Sequence, residues 1–411
     1  MSIFPDLETD RVVAMAQSHY TPNYRQAPIV LTRGEGVWVW DRDGKRYLDM
    51  IAGIAVCSLG HAHPRLVDAI SRQAGALIHT SSLWHNEPAI ALMEKLTELS
   101  FADSVFFANS GTEANEAALK LARRYRSLVK KQPERSGVLA FNKSFHGRTY
   151  MSMTVTGQPK YHKGFEPIVP NVHYADYGDL DSVEVALNAA KGTISTIIVE
   201  PVQCEGGIRV PTNDFLKGLR SLCDRDDMLL IFDEVQTGVG RVAEWFCYEI
   251  SGVKPDIMTL AKGIASGVPL GAMLASQEAA KGFEPGAHAS TFGGNPLATR
   301  AGLEVFRVID EDNLLDHVYE VGEVLSNGLK HLIEKHGDKC VETRGYGLLR
   351  GLELVDDERK LGKVIVDAAR ERGILLNAIG GHILRFAPPL IITSEQIEWS
   401  LATLSEIMES I

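Results

Sequence analysis

The stretch Leu229-Leu230-Ile231-Phe232-Asp233-Glu234-Val235-Gln236 opens on four consecutive apolar residues and breaks off at an acid. A run this short and apolar, without alternation, reads as a strand buried on both faces, the kind found in parallel sheets covered by helices. The acid falls at the strand's exit, the edge where open α/β sheets place ligands. A second stretch of the same form, Ile257-Met258-Thr259-Leu260-Ala261-Lys262-Gly263, ends on a lysine. Asp233 and Lys262 therefore lie on separate strands and can face one ligand.

Working outward, residues 105–108, 138–141 and 196–199 form similar short apolar runs, and residues 113–128, 180–190 and 214–224 between the strands carry helical apolar spacing. Ser110 or Thr112 is placed to cap the first of these helices. The alternation predicts an α/β fold: a large, mainly parallel-sheet domain over residues 60–295. Beyond Pro296 the pattern changes to long helices at 297–310 and 314–336, short strands around 347–354, 373–377 and 383–386, and an amphipathic helix at 394–408. A ribbon of residues 36–41 and 45–49 around Arg42-Asp43-Gly44 needs another sheet for stability and is expected to join this part. The expected small α+β domain combines residues 1–59 and 296–411.

The whole chain sets bounds on function. At 411 residues, 45% hydrophobic and 23% charged, it exceeds one comfortable core, so two domains are expected. Lys and Arg number 42 against 53 Asp and Glu, a formal charge of −11, which argues against nucleic acid and anionic membranes as partners. No apolar run reaches the roughly 18 to 20 residues of a membrane span, and Met1-Ser2-Ile3-Phe4-Pro5-Asp6 lacks the basic-then-apolar form of a leader. A cytoplasmic protein is expected. The five cysteines are scattered singly and read as reduced thiols.

A third polar signal, Ala108-Asn109-Ser110-Gly111-Thr112-Glu113, ends a strand and opens a helix, offering hydroxyls and free N–H groups at a positive helix terminus, as a phosphate requires. An ionised Asp233 beside a pyridine nitrogen would keep the ring protonated and electron-withdrawing. Gln236 would reach the ring's phenolic oxygen. A desolvated Lys262 near a cationic ring has its pKa lowered and offers an amine to an aldehyde. Phosphate, pyridine and aldehyde together describe pyridoxal 5'-phosphate (PLP).

The detailed wording resembles the class III (ω-amino acid) aminotransferases, which are fold-type I PLP enzymes. The likeness rests on Gly60-His61-Ala62-His63-Pro64, Asn109-Ser110-Gly111-Thr112-Glu113-Ala114-Asn115, Phe145-His146-Gly147-Arg148, Glu200-Pro201-Val202-Gln203, Phe232-Asp233-Glu234-Val235-Gln236 and Ser290-Thr291-Phe292-Gly293-Gly294-Asn295-Pro296. It runs from about Tyr24 to the C-terminus. The resemblance implies that Lys262 carries the cofactor and moves the proton, that Ser110, Gly111 and Thr112 cradle the phosphate, and that Phe145 stacks on the ring. It also implies that Thr291 reaches the phosphate of a neighbouring subunit's cofactor, hence a homodimer with shared active sites.

For substrates, the resemblance implies small molecules: glutamate or 2-oxoglutarate and an ω-amino acid. Arg385 is similar to the residue that grips glutamate's α-carboxylate, and Glu205 to the gate that covers it when the second amine, which has no such carboxylate, is bound. An empty slot before a buried arginine would otherwise be costly. Arg148, assisted by Tyr24, is similar to the residue that binds the distal carboxylate in a two-bonded fork. Arg148 with Glu205 favours the branches acting on N-acetylornithine above all, or on succinylornithine or ornithine, over other class III branches, with 4-aminobutyrate kept as an alternative substrate. Cys204 stands where the family usually has glycine, and Ser82-Leu83-Trp84-His85 departs from the common wording.

Rival readings are weaker. His61, His63, His79 and His85 lack acidic or thiolate partners at ligand spacing, so no metal is expected. No Gly-x-Gly-x-x-Gly follows an early strand, which disfavours a nicotinamide cofactor. A PLP mutase or racemase on the same scaffold would not need both Arg148 and Arg385. A non-catalytic module predicts loss of Lys262 or Asp233, and both are present.

Overall fold

Seven strands form the central sheet of the computed structural model, which describes residues 3–411. Their order across the sheet is Ser104–Ala108, Gly271–Ala275, Ile257–Leu260, Leu229–Asp233, Ile194–Val199, Gly137–Phe141 and Val172–Ala175. All neighbouring pairs are parallel except those of Gly271–Ala275, which runs antiparallel to both Ser104–Ala108 and Ile257–Leu260. The apolar runs become strands because they are covered on both faces: every residue of Ile194–Val199, Leu229–Asp233 and Ile257–Leu260 is buried. Sequence reading missed Gly271–Ala275 and Val172–Ala175.

The helices expected between strands are present as Gly111–Arg124, which continues into a wider turn at Tyr125–Val129, Leu180–Ala189 and Asn213–Arg225. Past Pro296, the helices Pro296–Glu311 and Leu314–Lys335 precede a four-stranded antiparallel sheet of Cys340–Tyr346, Leu349–Leu354, Ile383–Phe386 and Asn377–Ile379. The C-terminal helix Ser394–Glu409 starts with a capping box in which Thr393 and Gln396 satisfy each other's backbone N–H. The ribbon Trp38–Asp41 and Arg46–Asp49 gains an outer strand, Leu31–Glu35, and pairs in parallel with Ile374–Leu375. The expected strand at 373–377 is therefore divided between two sheets. No helix among the described residues is long and apolar enough to cross a membrane.

Candidate active site

A cavity of about 430 Å³ opens at the C-terminal ends of the parallel strands. Ser110, Gly111, Thr112, Phe145, Arg148, Glu205, Asp233, Gln236 and Lys262 all line it. At one end lies the start of the helix Gly111–Arg124. Ser110 is its cap: its oxygen accepts from the Glu113 N–H at 3.3 Å, and its hydroxyl donates to the Glu113 carboxylate at 3.2 Å. The Thr149 hydroxyl donates to Glu116 at 2.6 Å, so in the 2.8 Å contact between Thr112 and Thr149 it is Thr112 that donates. Both cradle hydroxyls thus already have acceptors, while the backbone N–H groups of Gly111 and Thr112 have none among the described residues. Close packing holds them there. A Cβ on Gly111 would come within 2.7 Å of Val235, and one on Gly147, whose φ is +130°, within 2.2 Å of the Thr112 hydroxyl oxygen.

Asp233 is buried at the exit of its strand and holds three donors. Asn115 Nδ2 and His146 Nδ1 each donate to Oδ2 at 2.7 Å, and the Val235 N–H donates to Oδ1 at 3.0 Å. The donors are themselves fixed. Asn115 also donates to the His146 carbonyl at 2.8 Å and accepts from the Thr259 hydroxyl at 2.7 Å. Such a network holds a buried carboxylate in one place. Asn115 and His146 lie within the family's motifs, and the one signal of this task in the sequence is their polarity within segments destined for burial.

Lys262 begins a short turn after Ile257–Leu260, in a left-handed conformation with φ of +48° that a lysine adopts only under constraint. Its amine has no hydrogen-bond or ion-pair partner among the described residues. Burial pushes its pKa below the ordinary lysine value and the Arg385 charge acts in the same direction, with Cys204, Glu205 and Asp233 opposing. The result is an amine more readily neutral than a surface lysine's.

Arg385 is 1% exposed and does not line the cavity, because Glu205 stands between. Its guanidinium donates to Glu205, to the Gln236 amide oxygen at 3.1 Å and, through Nε, to Asn377 at 3.2 Å. Burial raises the Glu205 pKa, but the charges of Arg385 and Lys262 and the bonds from Arg385 and Gln236 outweigh it and hold the carboxyl below its usual value. Gln236, expected at a ring oxygen, has its amide oxygen engaged with Arg385. Arg148 is exposed, with its guanidinium 3.8 Å from the Tyr161 ring centroid and 5.5 Å from that of Phe145.

Two expected site residues are not brought in. Tyr24 is 69% exposed, and neither it nor Thr291, also exposed, lines the cavity. Among the described residues no group of three or more His, Cys, Asp or Glu is placed to hold a metal ion.

The family model "Aminotransferase class-III" matches residues 19–408. The chain belongs to the class III aminotransferases. An acetylornithine aminotransferase of Caldanaerobacter subterraneus subsp. tengcongensis is 45% identical over 401 residues, covering 97% of this chain and 100% of the relative. That of Aquifex aeolicus is 46% identical over 388 residues, covering 94% and 98%. A solved ornithine aminotransferase from Toxoplasma gondii, described as having PLP at partial occupancy in its active site, superposes with a TM-score of 0.92 at 32% identity, covering 97% of this chain and 94% of that one. This is a PLP-dependent aminotransferase of fold type I. The class III site fits that cofactor: two free N–H groups at a helix start for a phosphate, a fixed carboxylate for a ring nitrogen, an aromatic wall at Phe145 and an unpartnered amine.

Proposed function

We propose that this enzyme moves the terminal amino group of N-acetylornithine, or a related ω-amino acid, to 2-oxoglutarate. The observation that carries this reading is the buried Arg385 masked from the cavity by Glu205, with an exposed Arg148 lining the same cavity. PLP, when bound, supplies an aldehyde and a protonated ring that draws electrons from the substrate carbon. Lys262 would hold the cofactor and move the proton, its lowered pKa making the free amine a readier nucleophile and base than a surface lysine's. Asp233 would sit at the ring nitrogen, Phe145 on the ring face, and the Ser110, Gly111 and Thr112 segment at the phosphate, with Gln236 at the ring's phenolic oxygen. With glutamate, Glu205 turns away and the substrate's α-carboxylate takes its place on Arg385. With the ω-amine, Glu205 stays and neutralises Arg385, while Arg148 binds the distal carboxylate.

The same reading includes a homodimer. Ile78, Leu83, Trp84 and Phe292 are exposed apolar residues on segments that touch one another, through Asn86 to the Gly294 carbonyl at 3.0 Å and the His79 and Phe292 rings at 5.5 Å. A partner covering this patch would take Thr291 to its own site, and Tyr24 would complete the Arg148 end of the pocket. We assign residues 60–295 to the large domain and 1–59 with 296–411 to the small one, and place the enzyme in the cytoplasm.

Cofactor absorbance during half-reactions with N-acetylornithine, N-succinylornithine, ornithine, 4-aminobutyrate and glutamate tests the proposal. N-acetylornithine and glutamate should both discharge the cofactor, and Lys262→Ala should abolish turnover, at least about 10³-fold. Failure of every ω-amine to discharge the cofactor, or turnover surviving in Lys262→Ala, would overturn it.

A further inference from the structure

The cavity wall contains a carboxylate to which nothing so far gives a task. Glu200 follows directly on Ile194–Val199, and because Val199 pairs with Phe232 it lies beside Asp233. It is 5% exposed and lines the cavity. Unlike Asp233 it has no side-chain donor. Oε2 accepts from the Phe145 N–H at 3.1 Å, and Oε1 from the Cys204 N–H at 3.2 Å.

We propose that Glu200 is a positioning residue that clamps the Phe145 and Cys204 backbones and thereby sets the span between the two carboxylate-reading ends of the substrate site. The inference rests on the functional reading above, in which Arg148 and the Glu205–Arg385 pair are those ends. Phe145 leads to Arg148 three residues on, and Cys204 immediately precedes Glu205. The loop carrying Glu205 is a closed unit: Gln203 and Arg209 bond each other's backbone, and the N–H groups of Gly207 and Ile208 both donate to the Cys204 carbonyl. Such a unit moves as a body, so what fixes it to its surroundings fixes Glu205. Glu200 ties it to the Phe145 loop, Gln203 adds a bond to the Asn142 carbonyl at 3.0 Å, and Arg344 holds the Gly207 carbonyl at 2.9 Å.

The chemistry demands an acid at this point. Two N–H donors face the side chain, and only an ionised carboxylate presents two acceptors; an amide of the same length would turn its NH₂ toward one of them. Burial pushes the Glu200 pKa up to about 7; His146 lowers it, Asp233 raises it, and the two backbone bonds lower it. The Tyr177 hydroxyl, which donates to the Glu200 carbonyl, and the Cys204 thiol are the other titratable neighbours, both kept neutral by burial. Below about pH 7 Glu200 takes up a proton, one oxygen becomes a donor, and one backbone N–H loses its acceptor.

The test compares wild-type and Glu200→Gln holoenzymes in both half-reactions between about pH 6 and 9. Glu200→Gln should raise KM for glutamate and for the ω-amine alike, by about tenfold, with kcat less affected. The dissociation constant of glutarate, read from cofactor absorbance without turnover, should rise in parallel, while PLP retention on dialysis is unchanged. In the wild type both KM values should climb as pH falls through about 7, and in Glu200→Gln they should be flat. Unchanged KM, an effect on one substrate only, or a loss that tracks PLP release would overturn the proposal. Should the variant not fold, the wild-type profile decides, a flat KM counting against the clamp. If the wild type discharges no ω-amine, the functional reading fails, while glutamate and glutarate still test Glu200.

Discussion

At the strand exit the charge of Asp233 rests on Asn115, His146 and the Val235 N–H, whereas across the cavity the charge of Arg385 rests on Glu205, Gln236 and Asn377. Asp233 and Arg385 are both buried, yet the partners differ in kind. Those of Asp233 are tied by further bonds to Thr259 and to the His146 carbonyl, so no single one can leave without stranding another. Of Arg385's partners, the one carrying opposite charge is Glu205, whose side chain is 25% exposed and reaches the cavity. A buried charge whose partners are fixed by further bonds suits a group that stays; a buried charge with one removable counter-ion suits a group that comes and goes. The neutral Asn377 and Gln236 keep the guanidinium oriented through the exchange.

Substitutions can break this contrast. Asp233→Asn should be the most damaging, lowering kcat of both half-reactions by about 10²-fold or more, since a charge-assisted contact worth about 1.5–3 kcal/mol is lost at a group both reactions share. An unequal loss would show that Asp233 is not the common element. Glu205→Ala should act on one side only, cutting kcat/KM for the ω-amine about tenfold while glutamate is spared, because Arg385 is left uncompensated only when no α-carboxylate replaces Glu205. Equal losses would remove the gate. Asn377→Ala, which deletes one neutral acceptor, should raise KM for glutamate by about threefold and leave the ω-amine untouched; a loss as large as that of Glu205→Ala would erase the distinction between fixed and removable partners.

The sequence made the centre of the sheet legible because its strands are buried on both faces and rich in Ile, Leu and Val. Gly271–Ala275 escaped because Gly-Ala-Met-Leu-Ala carries no β-branched residue, and Val172–Ala175 because an edge strand tolerates His173 and Tyr174. In the site, Asp233 and Lys262 were visible as polar residues ending apolar runs, and Glu205 and Arg385 through family likeness. The side chains that hold them were not. Asn115, His146 and Thr259 act through contacts between positions up to 144 residues apart, as from Thr259 to Asn115, and no local spacing encodes such a contact, while Asn377 meets Arg385 across two paired strands whose register the sequence did not show. That Tyr24 and Thr291 stand outside the cavity of their own chain was likewise beyond local pattern.

The strand Ser104–Ala108, which leads into Ser110, Gly111 and Thr112, lies at the edge of the sheet with Gly271–Ala275 as its one strand neighbour. During synthesis the ribosome must therefore release some 160 further residues before that edge can dock. The helix start meant for an anion is among the first segments made, yet its seat in the sheet is among the last of the seven strands to form. A nascent chain halted short of residue 271 carries an unpaired strand of Val, Phe and Phe, a segment whose exposure favours chaperone capture or aggregation over cofactor loading.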